Sequence, residues 1–307
     1  MIMTKIIVVC GPTASGKSKL AVDIAKYVGG EVINADSMQV YKGMDIAVAM
    51  PSEEEKMGVP HHLFGFVEPT QDFSVAQWLE LAREKIAELS ERGVTPVIVG
   101  GTGLYISSLV DNIIFDDIGE NKEFREEMYR LAEVHGNGFL LEKLREVDPA
   151  AASRLHENNV KRVVRALETF EVSGKLSTER LEQSRSVCSS FATRMFAVRF
   201  ENRNILYERI EQRIGKMIEA GLVDEAKKIV LNSTSSQALG HKELQPFFRG
   251  YETLETCMNT LKQKTRNYAK RQLTWFRKDE RIQWLDFTDY PLILENAIKI
   301  IKNFKKM

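Results

Sequence analysis

Five consecutive apolar residues, Ile6-Ile7-Val8-Val9-Cys10, run straight into Gly11-Pro12-Thr13-Ala14-Ser15-Gly16-Lys17-Ser18. A continuous apolar run of this length suits a parallel strand covered on both faces. The eight residues after it match the phosphate-cradling P-loop pattern at every fixed position. Beyond them, Leu20, Ala21, Ile24, Ala25 and Val28 recur at helical spacing until Gly29-Gly30 ends the pattern. Strand, loop and helix in that order bring backbone N–H groups together at a helix N-terminus, where a di- or triphosphate binds. Lys17 adds a full positive charge and Ser18 a hydroxyl suited to Mg²⁺. A glycine loop assembled by chance is the bland alternative, and both flanks argue against it.

The alternation of strand and helix patterns continues. Glu31-Val32-Ile33-Asn34-Ala35 reads as a second strand closing on Asp36, and residues 75–92 as a helix stopped by Gly93. Pro96-Val97-Ile98-Val99 is a third strand, closing on Gly100-Gly101-Thr102. Over residues 121–185 the rhythm breaks and only helical patterns occur, among them 124–134, 139–147 and 160–172. A strand over 194–200, helices over 205–220 and 254–277, and a short strand over 282–285 follow. We therefore expect an α/β fold, a P-loop NTPase-like parallel sheet core formed by residues 1–115 and 194–307, with a helical insertion domain over 116–193. Ligands of such sheets bind beyond the carboxyl ends of the strands.

One absence is informative. P-loop kinases and NTPases usually supply a second carboxylate at the end of an apolar strand, to orient the metal or the attacking water. Here the strand at 97–99 ends in Gly100-Gly101-Thr102, and the carboxylate stands instead at Asp36, ending the neighbouring strand. An acid at that place can take a proton from an acceptor facing the phosphate. The bland reading is a turn or capping aspartate before Ser37.

Charge points to the acceptor. The chain is formally neutral, with 43 basic and 43 acidic side chains, but the total hides segregation. Residues 1–160 carry 15 Lys and Arg against 25 Asp and Glu; residues 161–307 carry 28 against 18. From Lys262 to Lys278 the chain has seven basic residues and no acid, interleaved with Tyr268, Trp275 and Phe276. A solvated helical face is the usual meaning of such a run. With aromatics interleaved, a surface for nucleic-acid phosphates is the better reading. No stretch reaches the length of a membrane span or a signal peptide's apolar region, and Cys10, Cys188 and Cys257 form no Cys-x-x-Cys pair. A reduced, cytoplasmic protein is expected, without a membrane partner and as a monomer.

Four segments in order, Gly11 to Ser18, Asn34-Ala35-Asp36-Ser37-Met38-Gln39-Val40-Tyr41, Val59-Pro60-His61-His62-Leu63 and Gly100-Gly101-Thr102-Gly103-Leu104-Tyr105, resemble the successive motifs of the tRNA dimethylallyltransferases. Later stretches agree: Lys161-Arg162-Val163-Val164-Arg165-Ala166-Leu167-Glu168, Leu206-Tyr207-Glu208-Arg209-Ile210 and Lys270-Arg271-Gln272-Leu273-Thr274-Trp275-Phe276-Arg277. The resemblance spans nearly the whole chain. It implies transfer of the five-carbon allyl group of dimethylallyl diphosphate to N6 of the adenosine 3′ to the anticodon of tRNA. The P-loop residues would hold the diphosphate, with Lys17 and a Ser18-bound Mg²⁺ stabilising the leaving group. Asp36 would act as general base and Thr102 would contact the tRNA near the reacting amine. By the same resemblance, Asp36, Ser37, Met38, Gln39, Arg125, Lys161, Arg162 and Arg165 contact the anticodon stem-loop, joined by Lys270, Arg271 and Arg277 from the basic run. The target base must be extruded from its loop into a pocket.

Rival readings remain at this stage. A small-molecule or nucleoside kinase would use the same loop with ATP, and a non-catalytic RNA-binding module would need no donor at all. Thr102 could be a loop hydroxyl bound to backbone. Arg209 and Arg213, four apart on one helix, could close over the diphosphate or form solvated pairs with Glu208 and Glu211. His61-His62 are read as structural or pocket residues, since adjacent histidines seldom direct both rings at one ion. Two departures from the family pattern stand out: Phe64-Gly65 replaces the usual Ile-Asp, and Gly240-His241 replaces Gly-Tyr in a later tRNA-contacting motif.

Overall fold

The apolar run after the N-terminus divides its side chains between two layers. Ile7 and Val9 join one hydrophobic cluster while Ile6, Val8 and Cys10 join another, and all five are at most 1% exposed. That is the period-two signature of a strand buried on both faces. The structure is a computed structural model and describes residues 3–113, 115, 119, 121–179, 182, 190–287 and 289–306. The chain forms two compact units: Met1–Val110 with Ser190–Met307, and Asp111–Ser189.

The first unit is built on a six-stranded, wholly parallel sheet in the order β3-β2-β4-β1-β5-β6. Its strands are β1 (Thr4–Cys10), β2 (Gly30–Asn34), β3 (His61–His62), β4 (Thr95–Gly100), β5 (Phe191–Arg199) and β6 (Ile282–Asp286). Around it, in chain order, lie α1 (Lys17–Val28), α2 (Glu53–Lys56), α3 (Val75–Glu91) and α4 (Gly103–Val110) before the insertion. The second unit holds α5 (Lys122–His135), α6 (Asn137–Val147), α7 (Pro149–Ala152) and α8 (Val160–Ser173). The first unit then resumes with α9 (Arg203–Glu219), α10 (Leu222–Lys228), α11 (His241–Phe248), α12 (Leu254–Phe276) and α13 (Tyr290–Lys306).

The order β2-β4-β1 sets three strand ends side by side, those leading into Asp36, Thr102 and the P-loop. The ends of β2 and β4 touch: Ala35 N–H donates to Val99 O at 2.7 Å and Thr102 N–H to Ala35 O at 3.2 Å. A Cβ on Gly100 would sit 2.1 Å from Ala35 O, so the close approach needs glycine there.

The core unit resumes at Ser190, ahead of the expected position 194, because β5 begins at Phe191, paired with Thr4. Helices α4, α10, α11 and α13 have no counterpart in the sequence reading. For α4 the reason is physical: Tyr105, Ile106, Ser108, Leu109 and Val110 are buried and the exposed position is an apolar Leu104, so the segment shows no amphipathic period. The expected helical run over 121–185 is observed as far as residue 179; most of the rest, and Cys188, lie outside the described residues.

The second unit packs its helices around Met128, Leu140, Leu144, Val163, Val164 and Leu167. Inside it Glu168 has no exposed surface and holds both Arg125 (2.9 Å) and Arg165 (2.6 Å), while Asn121 N–H donates to the same carboxylate at 2.9 Å. Burial works against the charge of Glu168, but the bonds from Arg125 and Arg165 win and its pKa lies below the usual range. Arg125 and Arg165 thus serve the fold of this unit whatever else they touch. Glu168→Gln is expected to cost about 3 kcal/mol, since it removes the charge that two guanidinium groups share. Urea unfolding of the full chain measures it, and an unchanged midpoint would refute it.

Candidate active site

The P-loop follows β1 and caps α1. Gly16 takes a left-handed conformation (φ +87°) at the N-cap and Gly11 also has positive φ (+132°). No side chain caps α1, so its first N–H groups are left for an anion. Ser15 is buried, and its Oγ has no hydrogen-bond partner among the described residues. Unsatisfied donors around a loop of this kind fit a phosphate ligand. Lys17 Nζ reaches Pro12 O at 3.3 Å. The Lys17 residue keeps some exposure, but its ammonium lies among protein atoms, and burial lowers its pKa to about 8. The Asp36 carboxylate partly offsets that effect and the Arg213 guanidinium reinforces it.

Asp36 stands at the end of β2. Its Oδ1 accepts Met38 N–H at 3.0 Å, and Asn34 braces the turn by accepting Asp36 N–H at 2.8 Å. The turn role is therefore real, and it leaves the rest of the carboxylate free of hydrogen bonds among the described residues. Thr102 likewise has a local duty: its Oγ1 accepts Ser37 N–H at 2.8 Å and donates to Ser37 Oγ at 3.1 Å. The hydroxyl so holds the residue next to Asp36.

Thr13 of the P-loop and the Asp36 turn open on a cavity of about 360 Å³, whose lining does not include Lys17, Ser18 or Thr102. Its polar lining includes Thr13, Asp36, Ser37, Arg213, Tyr268 and Arg271; its apolar lining includes Ala47, Val48, Ile210, Ile214, Met217 and Leu261. Ile210, Arg213, Ile214 and Met217 fall at helical spacing, so a single face of α9 supplies them. A cavity lined by both charged and aliphatic side chains suits a ligand with a charged head and a short hydrocarbon tail.

The two arginines of α9 part company. Arg209 Nε donates to Ala14 O at 2.9 Å and its guanidinium lies 5.1 Å from the Phe287 ring centroid, so it braces the P-loop from outside. Arg213 lines the cavity, where burial lowers its pKa while Asp36 and Glu55 favour its charge. The basic run on α12 divides in the same way. Lys270, Arg271 and Arg277 are exposed, but only Arg271 of the three borders the cavity; Lys270 sits 5.9 Å from the Tyr207 ring. Tyr268 faces Thr102 and Gln272, and burial together with the Asp36 charge holds its phenol protonated. Met38 also lines the cavity, whereas Gln39 turns its Nε2 onto Val48 O and Ala49 O. In the other unit Lys161, Arg162 and Arg165 are exposed and Arg125 is half-buried.

His61 and His62 go to different partners. His61 Nδ1 lies 2.8 Å from Val59 O and its ring 5.3 Å from that of Phe64, whereas His62 Nε2 lies 2.6 Å from Glu31. His241 stands where the family pattern has Tyr. It has no exposed surface and sits 3.4 Å from Glu225, which accepts Ile46 and Ala47 N–H. A ring so enclosed cannot stack on a base; it backs the loop that lines the cavity.

Gln272 belongs to the motif Lys270 to Arg277 but is not among the expected site residues. The signal was there: it occupies the buried stripe of α12 with Leu261, Thr265, Ala269 and Phe276, an unusual place for an amide. Among the described residues no three His, Cys, Asp or Glu side chains gather as a metal site. The donor set that fits a hard cation is Ser18, exposed in the first turn of α1, together with the oxygens of a bound diphosphate, as suits Mg²⁺.

A sequence profile described as IPP transferase matches residues 39–279, and one described as isopentenyl transferase matches residues 4–61. A tRNA dimethylallyltransferase of Caldanaerobacter subterraneus is 46% identical over 306 residues, covering 97% of each chain. The crystal structure of a tRNA isopentenylpyrophosphate transferase from Bacillus halodurans matches with a TM-score of 0.73 at 40% identity, covering 97% of this chain and 96% of that one. A eukaryotic dimethylallyltransferase acting on tRNA matches with a TM-score of 0.83 at 28% identity, covering 99% of this chain and 80% of its own.

Proposed function

The chain belongs to the IPP transferase family, and from that premise we propose how its own residues carry out the family reaction. It transfers the dimethylallyl group of dimethylallyl diphosphate to N6 of the adenosine 3′ to the anticodon of tRNA, giving N6-isopentenyladenosine and diphosphate. The observation that supports the assignment of roles is that Thr13 of the P-loop, Asp36 and Arg213 line one cavity together with aliphatic side chains.

The exocyclic amine of adenine is a weak nucleophile, because its lone pair is delocalised into the ring. As N6 forms its bond to the allylic carbon, the bond from that carbon to the diphosphate oxygen breaks and the electron pair leaves with the diphosphate. The P-loop N–H groups, Lys17 and Arg213 hold the charge that develops there. A bound Mg²⁺, with Ser18 as its protein ligand, adds charge neutralisation on the leaving oxygens. Asp36 takes the N6 proton, and Thr102 keeps Ser37 and thereby the Asp36 turn in place. The aliphatic wall shields the allyl group from water.

For tRNA the expected contacts are Ser37, Met38 and Gln39 beside the base, Arg271 at the cavity, Lys270 and Arg277 along α12, and Arg125, Lys161, Arg162 and Arg165 in the second unit. Place of action is read as the cytoplasm, where tRNA is modified; among the described residues no helix is long and apolar enough to cross a membrane.

Incubation with dimethylallyl diphosphate and bulk tRNA, followed by mass analysis of nucleosides, should yield N6-isopentenyladenosine; transfer of phosphate from ATP to a small acceptor instead would defeat the reading. Affinity for tRNA should also fall steeply with salt. Replacing Lys270 and Arg277 by Gln should flatten the log–log slope by about 1.5, at roughly 0.7–0.9 per phosphate contact, and leave donor affinity nearly unchanged. An unaltered slope would move the RNA surface elsewhere.

A further inference from the structure

On the buried stripe of α12, Thr265 satisfies its hydroxyl on Leu261 O of its own helix, but Gln272 reaches off the helix in both directions. It is 5% exposed, its Oε1 accepts Thr13 N–H at 2.9 Å, and its Nε2 donates to Gly101 O at 2.9 Å. Flipping the amide would set donor against donor and acceptor against acceptor, so the two partners dictate its orientation. The backbone is shaped to receive it: a Cβ on Gly101 would lie 2.2 Å from Nε2. The next residue is Thr102, whose hydroxyl fixes Ser37 beside Asp36. One amide therefore joins the loop that cradles the leaving group to the turn that holds the base.

We infer that Gln272 is a positioning residue that sets the spacing between the diphosphate cradle and the Asp36 base, an inference that rests on the site reading above. The hydrogen bonding supports an effect on alignment over one on charge. Thr13 N–H is already engaged by Gln272 and is not among the loop's free phosphate donors, so losing the amide relaxes the loop without deleting a phosphate contact. Attack on the allylic carbon needs the amine, the carbon and the leaving oxygen in alignment, and a misplacement of about 1 Å can cost about 10²-fold in rate.

The test compares single-turnover transfer at saturating substrates with the affinity for inorganic diphosphate, measured by competition with the donor. Gln272→Ala should lower the rate about 30- to 100-fold while diphosphate affinity stays within about threefold. Gly101→Ala, which pushes the amide away from the other side at a position free of positive φ, should produce the same split. In the double variant the losses should not multiply, because one contact is being removed twice. A rate within about threefold of the parent in either single variant, or a rate loss matched by an equal loss of diphosphate affinity, overturns the role. Should Gln272→Ala fail to fold, Gly101→Ala decides alone. Lys17→Met run alongside separates the two levels of argument. Unchanged diphosphate affinity in that variant defeats the site reading itself, whereas a normal loss there with parental rates in the other two defeats only the role of Gln272.

Discussion

Asp36→Asn should slow single-turnover transfer to tRNA by about 10²–10⁴-fold, the usual worth of a positioned general base. Asparagine is the informative replacement, because its side-chain oxygen can still accept Met38 N–H and keep the turn that Asp36 now closes. What it loses is the capacity to take the N6 proton. Binding should separate from chemistry: at pH 7 the variant should bind inorganic diphosphate at least as well as the parent, since a negative charge has been removed from the neighbourhood of Lys17 and Arg213. Asp36→Ala should show the same rate loss plus a weaker hold on the Ser37–Met38 turn, read as a raised KM for tRNA. Near-parental single-turnover rates in Asp36→Asn would remove this residue from the base role.

Lys17→Met should weaken inorganic diphosphate binding by about 2–4 kcal/mol, roughly 30- to 700-fold, as expected when one member of an enclosed charge pair is deleted. The buried setting of Lys17 adds a pH signature. With a pKa of about 8 in the free protein, the ammonium loses its proton well below the value of about 10.4 of an ordinary lysine. The diphosphate binds the protonated form, so affinity is full below about pH 8 and declines as pH rises through that value. Lys17→Met has no such proton to lose. The ratio of parental to variant affinity, in which the titration of diphosphate itself cancels, should therefore shrink between about pH 7 and pH 9. A ratio that stays constant over that range would show that Lys17 does not carry the charge assigned to it.

What the sequence makes legible is local. The P-loop could be seen from contiguous residues, because apolar run, glycine loop and helical stripe each leave a mark within a dozen positions, and the strand that ends at Asp36 left another. The helices of the insertion were visible for the same reason; their apolar stripes repeat at 3.6 residues. Helix α4 was invisible because its exposed position, Leu104, is itself apolar, which erases the contrast that periodicity needs. Among site residues, the sequence pointed to Arg209 and Arg213 together, but a helix face cannot say which turn meets a cavity and which meets a carbonyl. His241 was legible only as a departure from the family pattern, and burial against Glu225 makes it a support.

From sequence alone came the P-loop pattern, the parallel sheet that presents it, the carboxylate on the neighbouring strand and the basic second half that suits a polyanion. These are properties of short segments and of composition, set by backbone periodicity and side-chain charge. Tertiary structure decided the partnerships. It made one carboxylate, Glu168, serve both Arg125 and Arg165, put Arg213 and Arg271 at the cavity that Lys270 and Arg277 do not border, and brought Gln272 onto Thr13 across 259 positions of chain. A hydrogen bond depends on where two groups lie within about 3 Å, and for residues so far apart in sequence only the folding of the sheet and its helices determines that.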